Sequence, residues 1–531
     1  MPLTYDLLLD LYRGKSAAVE QIGHQSEVGA LAIDTPVTAL ISALDAGHGP
    51  KHLVLTGSAG DGKTFAALTA KTKDFEVITD ASARRLGVTT DPIADLAAQV
   101  EEVLRLNRRL LLAINRGQLE RLYDHARGST KQQVRVFAEI ARSRTALRPS
   151  WEATAVDVAV ADLGHLDRQP TVEAMLDKVL AIPDSPYLAP PTREAFALAK
   201  GALSDRRVRE WVALVVRSAS SAGANVTMRQ LWSFVAFLAT GARAPSDERP
   251  VGLADAVGAR LFAGEINDPL FSAARQECDP AVTPDASLTR RILAGDLLAR
   301  MKGSPLKALA ADREGWRDGR RLIRIAAVHG LAEARALSLA EDQYGGTVQQ
   351  LLKEGPGWHA FGPLVRVLVG GIYSRLGLWK AAAILPSWQM LCYDTARSSS
   401  ASLVADRDLN ASRFKLAVPR PPPDVEAFLL KAWRPPFVWL GTPDGPRLRL
   451  MPRTFRGLII ANERLVHEDL FASERWLARA GSASATESPE SSTPVRVARR
   501  GDPNSIMLDD ALDLTRTEIT IEGGTVAGGT A

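Results

Sequence analysis

The stretch His52-Leu53-Val54-Leu55-Thr56-Gly57-Ser58-Ala59-Gly60-Asp61-Gly62-Lys63-Thr64 decides the fold. It begins as a short apolar run typical of a buried strand, continues as a loop with three glycines, and enters an apolar segment at Phe65 that indicates a helix. Glycine permits backbone conformations that bring N–H groups close to an anion. This order of strand, glycine-rich loop and helix therefore predicts a phosphate-binding loop.

Each position of the loop has a physical task. The residues satisfy G-x-x-x-x-G-K-[ST], and we predict that all of them line a nucleotide: Gly57, Ser58, Ala59, Gly60, Asp61, Gly62, Lys63 and Thr64. Lys63 is expected to reach the β- and γ-phosphates, and the Thr64 hydroxyl is expected to ligate Mg²⁺. ATP and Mg²⁺ are thus the expected ligands. Two alternatives remain open, namely a glycine-rich turn that imitates the motif and a loop that binds nucleotide without hydrolysing it.

The segments around this loop alternate between apolar runs and helical patterns. Further strands are predicted at Phe75–Thr79, Leu110–Ile114 and Ala155–Val160, with helices at Pro92–Leu106 and Lys131–Arg142 between them. Strands that alternate with helices indicate βαβ units and a parallel sheet. The predicted fold class is therefore an α/β P-loop NTPase domain with a parallel sheet, followed by a mainly helical region and a small C-terminal β element.

Six segments follow from the same patterns. Predicted helices include Arg206–Ser218, Arg229–Ala239, Leu288–Met301 and Pro363–Leu376, and a β-hairpin is predicted where Phe437–Leu440 and Arg447–Leu450 flank Gly441–Pro446. Arg420-Pro421-Pro422-Pro423 is interpreted as a semi-rigid linker, and the Ser-, Glu- and Pro-rich stretch Ala480–Pro494 as a disordered one. The segments are an N-terminal helical part (1–50), the P-loop core (51–165), a helical lid (166–245), a helical domain (246–420), a small α/β or β-hairpin element (421–480) and a disordered linker and tail (481–531).

The acid needed for hydrolysis is harder to identify. An active P-loop ATPase holds its metal and its attacking water with carboxylates at strand ends, yet no apolar run here ends in Asp-Glu. Asp80, after the strand that contains Val77 and Ile78, is the first candidate for a metal-binding and catalytic acid, and Asp162 is the second. Each acid is equally compatible with a helix cap or a turn.

Two further polar residues are candidates for the catalytic site. Asn115 follows the Leu110–Ile114 run, where a side chain at a strand tip faces the γ-phosphate in open α/β sheets, although it also fits a turn with Gly117. Arg229 lies in the first turn of a helix capped by Thr227, where the helix dipole disfavours a cation unless an anion is near. A triphosphate or an ordinary salt bridge explains this placement. Arg142 and Arg144, which close a helix, fit an arginine finger or a common C-terminal charge.

Composition restricts the class of protein without naming it. The 531 residues carry 65 Lys and Arg against 61 Asp and Glu, a net charge of +4 that permits nucleic-acid contact but does not require it. No apolar run approaches the roughly 18 residues of a membrane span, and no secretory signal is seen after Met1. The two cysteines, Cys278 and Cys392, exclude a disulfide framework. A cytoplasmic protein without a membrane anchor is expected.

Taken together, these motifs resemble those of the AAA+ class of P-loop ATPases. Gly57–Thr64, Asn115 as sensor 1, Arg142 or Arg144, the strand at Val156–Val160 and Arg229 as sensor 2 follow in the order of that class. The sequence departs from it in lacking the usual Asp-Glu at the third strand and in having one strand candidate, not two, between Thr64 and Leu110. More narrowly, "TGSAGDGKT", "VITDAS", "LLLAINRGQLERL" and "NVTMRQLWSFVAFLATG" are similar to segments of the DptF-type ATPases of DNA-phosphorothioation-dependent restriction.

This resemblance implies an ATPase subunit of a bacterial DNA-restriction or anti-phage defence complex. The partners it implies are the other subunits of the complex, double-stranded DNA and further copies of the same chain, since an arginine finger would act between copies. A nucleotide-dependent switch or scaffold with little hydrolysis is the alternative, and the missing acids favour it. A small-molecule kinase is a third, less consistent with the long C-terminal half.

Overall fold

The computed structural model describes most residues between 30 and 241, a short stretch before them and selected parts of the chain after them. The described residues are 3–12, 30–70, 72–79, 91–128, 132–145, 157–183, 186–221, 225–241, 261–262, 268–276, 278–279, 324, 339–376, 385–386, 389–390, 403–405, 408–463, 496–498, 519–522 and 525–528. The chain divides into two compact units, of which the first comprises residues 1–341 and 420–434 and the second comprises 342–419 and 435–531. The predicted 246–420 segment is thus shared between both units.

A parallel sheet of four strands forms the centre of the first unit. Its strands are β1 (His52–Thr56), β2 (Phe75–Ile78), β3 (Arg109–Ala113) and β4 (Val158–Asp162), in the order β2-β3-β1-β4. All neighbouring pairs are parallel. The predicted parallel sheet is confirmed, and β1 lies between β3 and β4 because its residues are apolar on both faces, as a central strand requires.

Helices complete the first unit. They are α1 (Tyr5–Tyr12), α2 (Pro36–Asp45), α3 (Lys63–Thr69), α4 (Pro92–Arg105), α5 (Arg116–Arg127), α6 (Gln132–Thr145), α7 (Gln169–Leu180), α8 (Pro190–Ser204), α9 (Arg206–Ser221), α10 (Met228–Thr240) and α11 (Pro269–Gln276). Helices α4, α5 and α6 pack with the sheet around one apolar core. Helices α7 to α11 and α1 share another core, in which Trp211, Phe234 and Phe271 are buried.

The start of α10 is fixed by a capping box. Thr227 accepts a hydrogen bond from the Gln230 amide, while the Gln230 side chain accepts one from the Thr227 amide, as the sequence predicted for the Thr227 cap. The helix ends at Gly241, whose positive φ of 58° suits glycine. The predicted helix Leu288–Met301 lies outside the described residues, as does Ala480–Pro494.

The segment 420–434 belongs to the first unit, so the predicted semi-rigid linker at Arg420–Pro423 is wrong. Arg420 is buried and its guanidinium binds the Glu426 carboxylate at 2.5 Å. Pro423 opens helix α14 (Pro423–Leu429). Proline suits the first position of a helix, because the N–H that it lacks would have no acceptor there. A proline run is therefore compatible with a packed helix start as well as with a linker.

The second unit contains helices and small antiparallel sheets. Its helices are α12 (Leu339–Glu354), α13 (Gly362–Leu376) and α15 (Pro452–Glu463), and the strands β9 (Lys415–Ala417), β10 (Val438–Gly441) and β11 (Arg447–Leu450) form a three-stranded sheet. Strands β10 and β11 are the two arms of the predicted hairpin, which is confirmed. Gly371 lets α13 approach α15 closely, since a Cβ there would collide with the Leu458 carbonyl oxygen.

Shorter strands account for the remaining described residues of this unit. They are β5 (Leu385–Pro386), β6 (Gln389–Met390), β7 (Leu403–Ala405), β8 (Asp408–Leu409), β12 (Arg496–Ala498), β13 (Ile519–Glu522) and β14 (Thr525–Gly528). Strands β13 and β14 pair antiparallel. In the part of the chain that the structure describes, we find no helix with the length and apolarity needed to cross a membrane.

Candidate nucleotide site

The glycine-rich loop joins β1 to α3 at the carboxyl edge of the sheet. Gly57, Gly60 and Gly62 have φ values of 140°, 86° and 86°, a region that residues with a side chain rarely adopt. At Gly57 a Cβ would also lie 2.5 Å from an Asp61 carboxylate oxygen. The three glycines of the motif are therefore required by the backbone that the loop adopts here.

Lys63 and Thr64 open the helix that leaves the loop. The Lys63 side chain is buried, and its Nζ donates a hydrogen bond to the Ser58 carbonyl at 2.6 Å, so the amine lies across the loop. Thr64 is half-buried in the first turn of α3. Backbone N–H groups at a helix start have no intrahelical acceptor. An ammonium, a hydroxyl and the amides of the helix start lie within a few residues, and these groups form a donor set suited to a phosphate and to a metal ion bound to it.

The first turn of α10 packs against this loop. The Arg229 amide donates to the Gly60 carbonyl at 3.4 Å. A Cβ at Gly60 would lie 3.3 Å from Thr227, and one at Gly62 would lie 3.2 Å from the Met228 side chain. The structure thus brings together the loop and the helix that the sequence assigned to a lid, although they are more than 160 residues apart in the chain.

Arg229 itself is exposed at this position. Within the described residues its side chain has no carboxylate partner, so the ordinary salt bridge considered for it is not formed there. Its Cβ lies 3.6 Å from the position that a Gly60 Cβ would take. Arg229 is therefore a solvent-facing cation beside the loop.

Asn115 lies next to the start of the loop. It follows β3, which pairs with β1, and the next amide, that of Arg116, donates to the Gly57 carbonyl at 3.2 Å. Asn115 is the N-cap of α5 by backbone conformation, but its side chain makes no capping hydrogen bond. Its amide group is half-buried and is not used by the helix.

Asp61 forms a buried ion pair that the sequence did not predict. Its carboxylate accepts a hydrogen bond from the Ser58 amide at 2.6 Å and binds the Arg168 guanidinium at 3.1 Å. The side chains of Asp61 and Arg168 are 0% and 7% exposed, and Arg168 also donates to the Leu163 carbonyl at 2.7 Å. Burial raises the pKa of Asp61, although Arg168 and the Ser58 amide act in the opposite direction.

A second polar cluster surrounds Asp162 at the tip of β4. Arg116 binds its carboxylate at 2.7 Å, and the Gly164 amide donates to it at 3.0 Å. Burial acts against ionisation of Asp162, but interactions with His165, Arg116 and the Gly164 amide outweigh it and hold the pKa of this carboxyl below its ordinary value. Burial also lowers the pKa of His165 to about 4, so that this ring is neutral at pH 7.

The register of the sheet explains how this cluster adjoins the loop. Thr56, the last residue of β1, lies opposite Asp162 on β4. A Cβ on Gly164 would lie 3.0 Å from the Arg116 guanidinium, 3.3 Å from Asp162 and 3.6 Å from Asp61. Asp61 and Asp162, with their arginines, therefore surround Gly164 and form one network directly beneath the glycine loop.

Asp80 lies outside the described residues, and so does the segment 80–90. The strand that precedes it, β2, ends at Ile78 and is next to β3 at the edge of the sheet. The assignment of Asp80 as a metal ligand and catalytic acid stays a prediction. Among the described residues no group of His, Cys, Asp and Glu has the arrangement of a protein-only metal site.

Arg142 and Arg144 are both engaged within the chain. Arg142 binds Glu120 at 2.5 Å and stacks over the Tyr123 ring, with its guanidinium 4.6 Å from the ring centroid. Arg144 forms a buried ion pair with Asp424 of α14. In this structure both arginines hold α6 to neighbouring elements of the first unit.

No protein-family model, curated protein or solved structure matches this chain. The proposed function therefore depends on the loop, its surroundings and the resemblance of the sequence motifs.

Proposed function

We propose that the first unit binds a Mg²⁺-nucleoside triphosphate, with ATP as the favoured ligand, at Gly57–Thr64. The observation that supports this most strongly is the loop itself, in which three glycines with positive φ join a central parallel strand to a helix that begins at Lys63. The Lys63 ammonium and the loop amides would hold the phosphates, and Thr64 would hold the metal ion. Bound Mg²⁺ supplies neutralisation of the phosphate charge.

Hydrolysis is the second part of the proposal. Asn115 follows a strand beside the loop, where its amide group would orient water, and Arg229 is an exposed cation beside Gly60. Asp80 is the proposed acid of the metal site. Asp162 remains a second acid, although its carboxylate is already engaged by Arg116 and Gly164.

The biological setting rests on the motif resemblance. We propose that the chain is the ATPase subunit of a bacterial, cytoplasmic DNA-restriction or anti-phage complex, in which it acts with other subunits, with double-stranded DNA and with copies of itself. Hydrolysis would then drive a conformational change, and cleavage of DNA would belong to a partner.

A nucleotide-dependent switch is the second candidate, and one observation favours it. Among the described residues near the loop, both carboxylates are held by arginines, Asp61 by Arg168 and Asp162 by Arg116. Neither is free to activate water. A protein that binds ATP tightly and hydrolyses it slowly is consistent with this arrangement.

Steady-state turnover distinguishes the two candidates. ATP hydrolysis by the purified full chain should be measured with and without duplex DNA, beside Lys63→Ala and the surface control Lys51→Ala. The ATPase predicts turnover that duplex DNA stimulates and that Lys63→Ala abolishes. Tight ATP binding without turnover in either condition would contradict the ATPase and support the nucleotide-dependent switch.

A further inference from the structure

Burying the ion pair of Asp61 and Arg168 costs desolvation free energy. Taking a carboxylate and a guanidinium out of water is offset only when good geometry and further hydrogen bonds satisfy both groups. The Ser58 amide and the Leu163 carbonyl provide those additional partners. Asp61 occupies a variable position of the motif, so the motif alone does not explain why a buried charge lies inside an anion-binding loop.

Arg168 connects the loop to the segment that follows β4. Residues 163–168 bind Asp61 on one side through Arg168. On the other side they pair with 432–434, since the Asp167 amide donates to the Ala432 carbonyl at 2.6 Å and the Arg434 amide donates to the His165 carbonyl at 2.7 Å. Leu166 and Trp433 form an antiparallel bridge at the centre of this contact.

Side chains reinforce the same contact. The His165 ring lies edge-on to the buried Trp433 ring, with 5.6 Å between the centroids. Near the start of the segment 420–434, the buried ion pair of Arg144 and Asp424 holds α14 to α6. Residues 419 and 435 belong to the second unit, so the segment 420–434 is joined to that unit at both ends.

We propose that Arg168 is a positioning residue of the nucleotide site and that residues 432–434 hold it in place, so that nucleotide binding and the contact of 165–167 with 432–434 stabilise each other. The inference rests on the proposed function. A nucleotide at the loop favours the conformation in which Asp61 is paired, the pair fixes 163–168, and 163–168 retains the segment that leads into the second unit. Coupling of this kind is reciprocal.

Amide hydrogen exchange of the full chain tests the coupling. The nucleotide analogue ATPγS with Mg²⁺ is added at about 100 times the dissociation constant measured by calorimetry on the same sample. If opening of the contact releases the nucleotide, exchange of the Asp167 and Arg434 amides slows by up to about 100-fold. Lys63→Ala at the same nucleotide concentration should slow exchange by about 10-fold or less, because its affinity is expected to fall by at least about 10-fold.

The outcomes separate this inference from the proposed function. Absence of nucleotide binding contradicts the proposed function. Binding with unchanged exchange in 163–168 and 432–434 contradicts the inference alone and leaves the proposed function intact. Slowing that Lys63→Ala reduces in proportion to its loss of affinity supports both.

Substitution of Arg168 tests its positioning role independently. Arg168→Met should weaken binding of the same analogue by about 10-fold or more, beside the exposed control Arg206→Met. Adding Asp61→Asn should recover part of the loss, because no unpaired buried charge is then left. A lower melting temperature with unchanged affinity in the folded protein would show a purely structural role. If Arg168→Met does not fold, Arg168→Lys and the exchange measurement on the unmodified chain decide the question.

Discussion

Asn115 is the residue whose placement most directly connects the sheet to proposed hydrolysis. Because its side chain caps no helix amide, its replacement should leave α5 intact. We predict that Asn115→Ala lowers kcat by about 100-fold, as loss of one oriented polar group does in other active sites, and changes the dissociation constant of ATP little. Asn410→Ala, in the second unit, is the matched control for steady-state kinetics and calorimetry. Equal losses in both variants, or a loss of affinity alone, would remove Asn115 from catalysis.

His52, at the start of β1, makes the stability of the first unit depend on pH. Its Nδ1 accepts a hydrogen bond from the Leu110 amide at 3.3 Å, and burial, followed by the charge of Lys51, lowers the pKa of its ring to about 4. The stability this neutral ring contributes is present above pH 6.5, near the unfolded pKa, and is lost as pH falls from there towards 4.

The test of this dependence is His52→Asn, which retains an acceptor for the Leu110 amide but does not titrate. We predict that the melting temperature of the unmodified chain falls more between pH 7 and pH 5 than that of the variant. Parallel curves for the two proteins would mean that His52 does not carry this dependence.

At the residue scale, sequence reasoning identified local features and missed long-range pairs. The glycines, Lys63 and the Thr227 cap follow from neighbours within a few positions, so their patterns are visible in the sequence. Asp61 and Arg168 are separated by 107 positions, and nothing in their local patterns indicates a partner. The pair exists because the sheet and α7 bring them together.

Among the elements, α10 has the clearest functional consequence. Its first turn contacts Gly60 and Gly62. Among the described residues, Arg229 forms no ion pair. We predict that Arg229→Ala weakens binding of Mg²⁺-ATP by about 10-fold, the loss expected for one charged hydrogen bond. Arg206→Ala, at the start of α9, is the matched control. Identical affinities in calorimetry for both variants would contradict a nucleotide role for Arg229.

Periodicity predicted the elements well where the chain is regular. Strand β1 is the apolar run that precedes the glycine loop, and the hairpin of β10 and β11 lies where a turn separates two predicted strands. The proline run at Arg420–Pro423 was misinterpreted because proline is common both in extended linkers and at the first position of a helix. Only the burial of Arg420 and its bond to Glu426 distinguish the two, and both depend on tertiary contacts.

For the whole molecule, the two compact units group the predicted segments differently from their order along the chain. The helices predicted to form a lid and the sheet belong to the first unit, and so does the segment 420–434, which follows residues of the second unit in the chain. Sequence composition cannot reveal such a return, because the boundary carries no low-complexity signal at residue 341. The order of the motifs predicted a nucleotide site at the glycine loop. It gave no indication that residues 432–434 contact the segment 165–167 next to that loop.

Equilibrium binding of ATP tests the central claim most directly. Isothermal calorimetry should be performed on the full chain with Mg²⁺-ATP, beside Lys63→Ala and the control Lys51→Ala at the other end of β1. We predict saturable binding at one site, dependent on Mg²⁺, that Lys63→Ala weakens by at least about 10-fold and that Lys51→Ala leaves unchanged. Absence of binding to the unmodified chain, or equal affinity in Lys63→Ala, would contradict a nucleotide site at Gly57–Thr64.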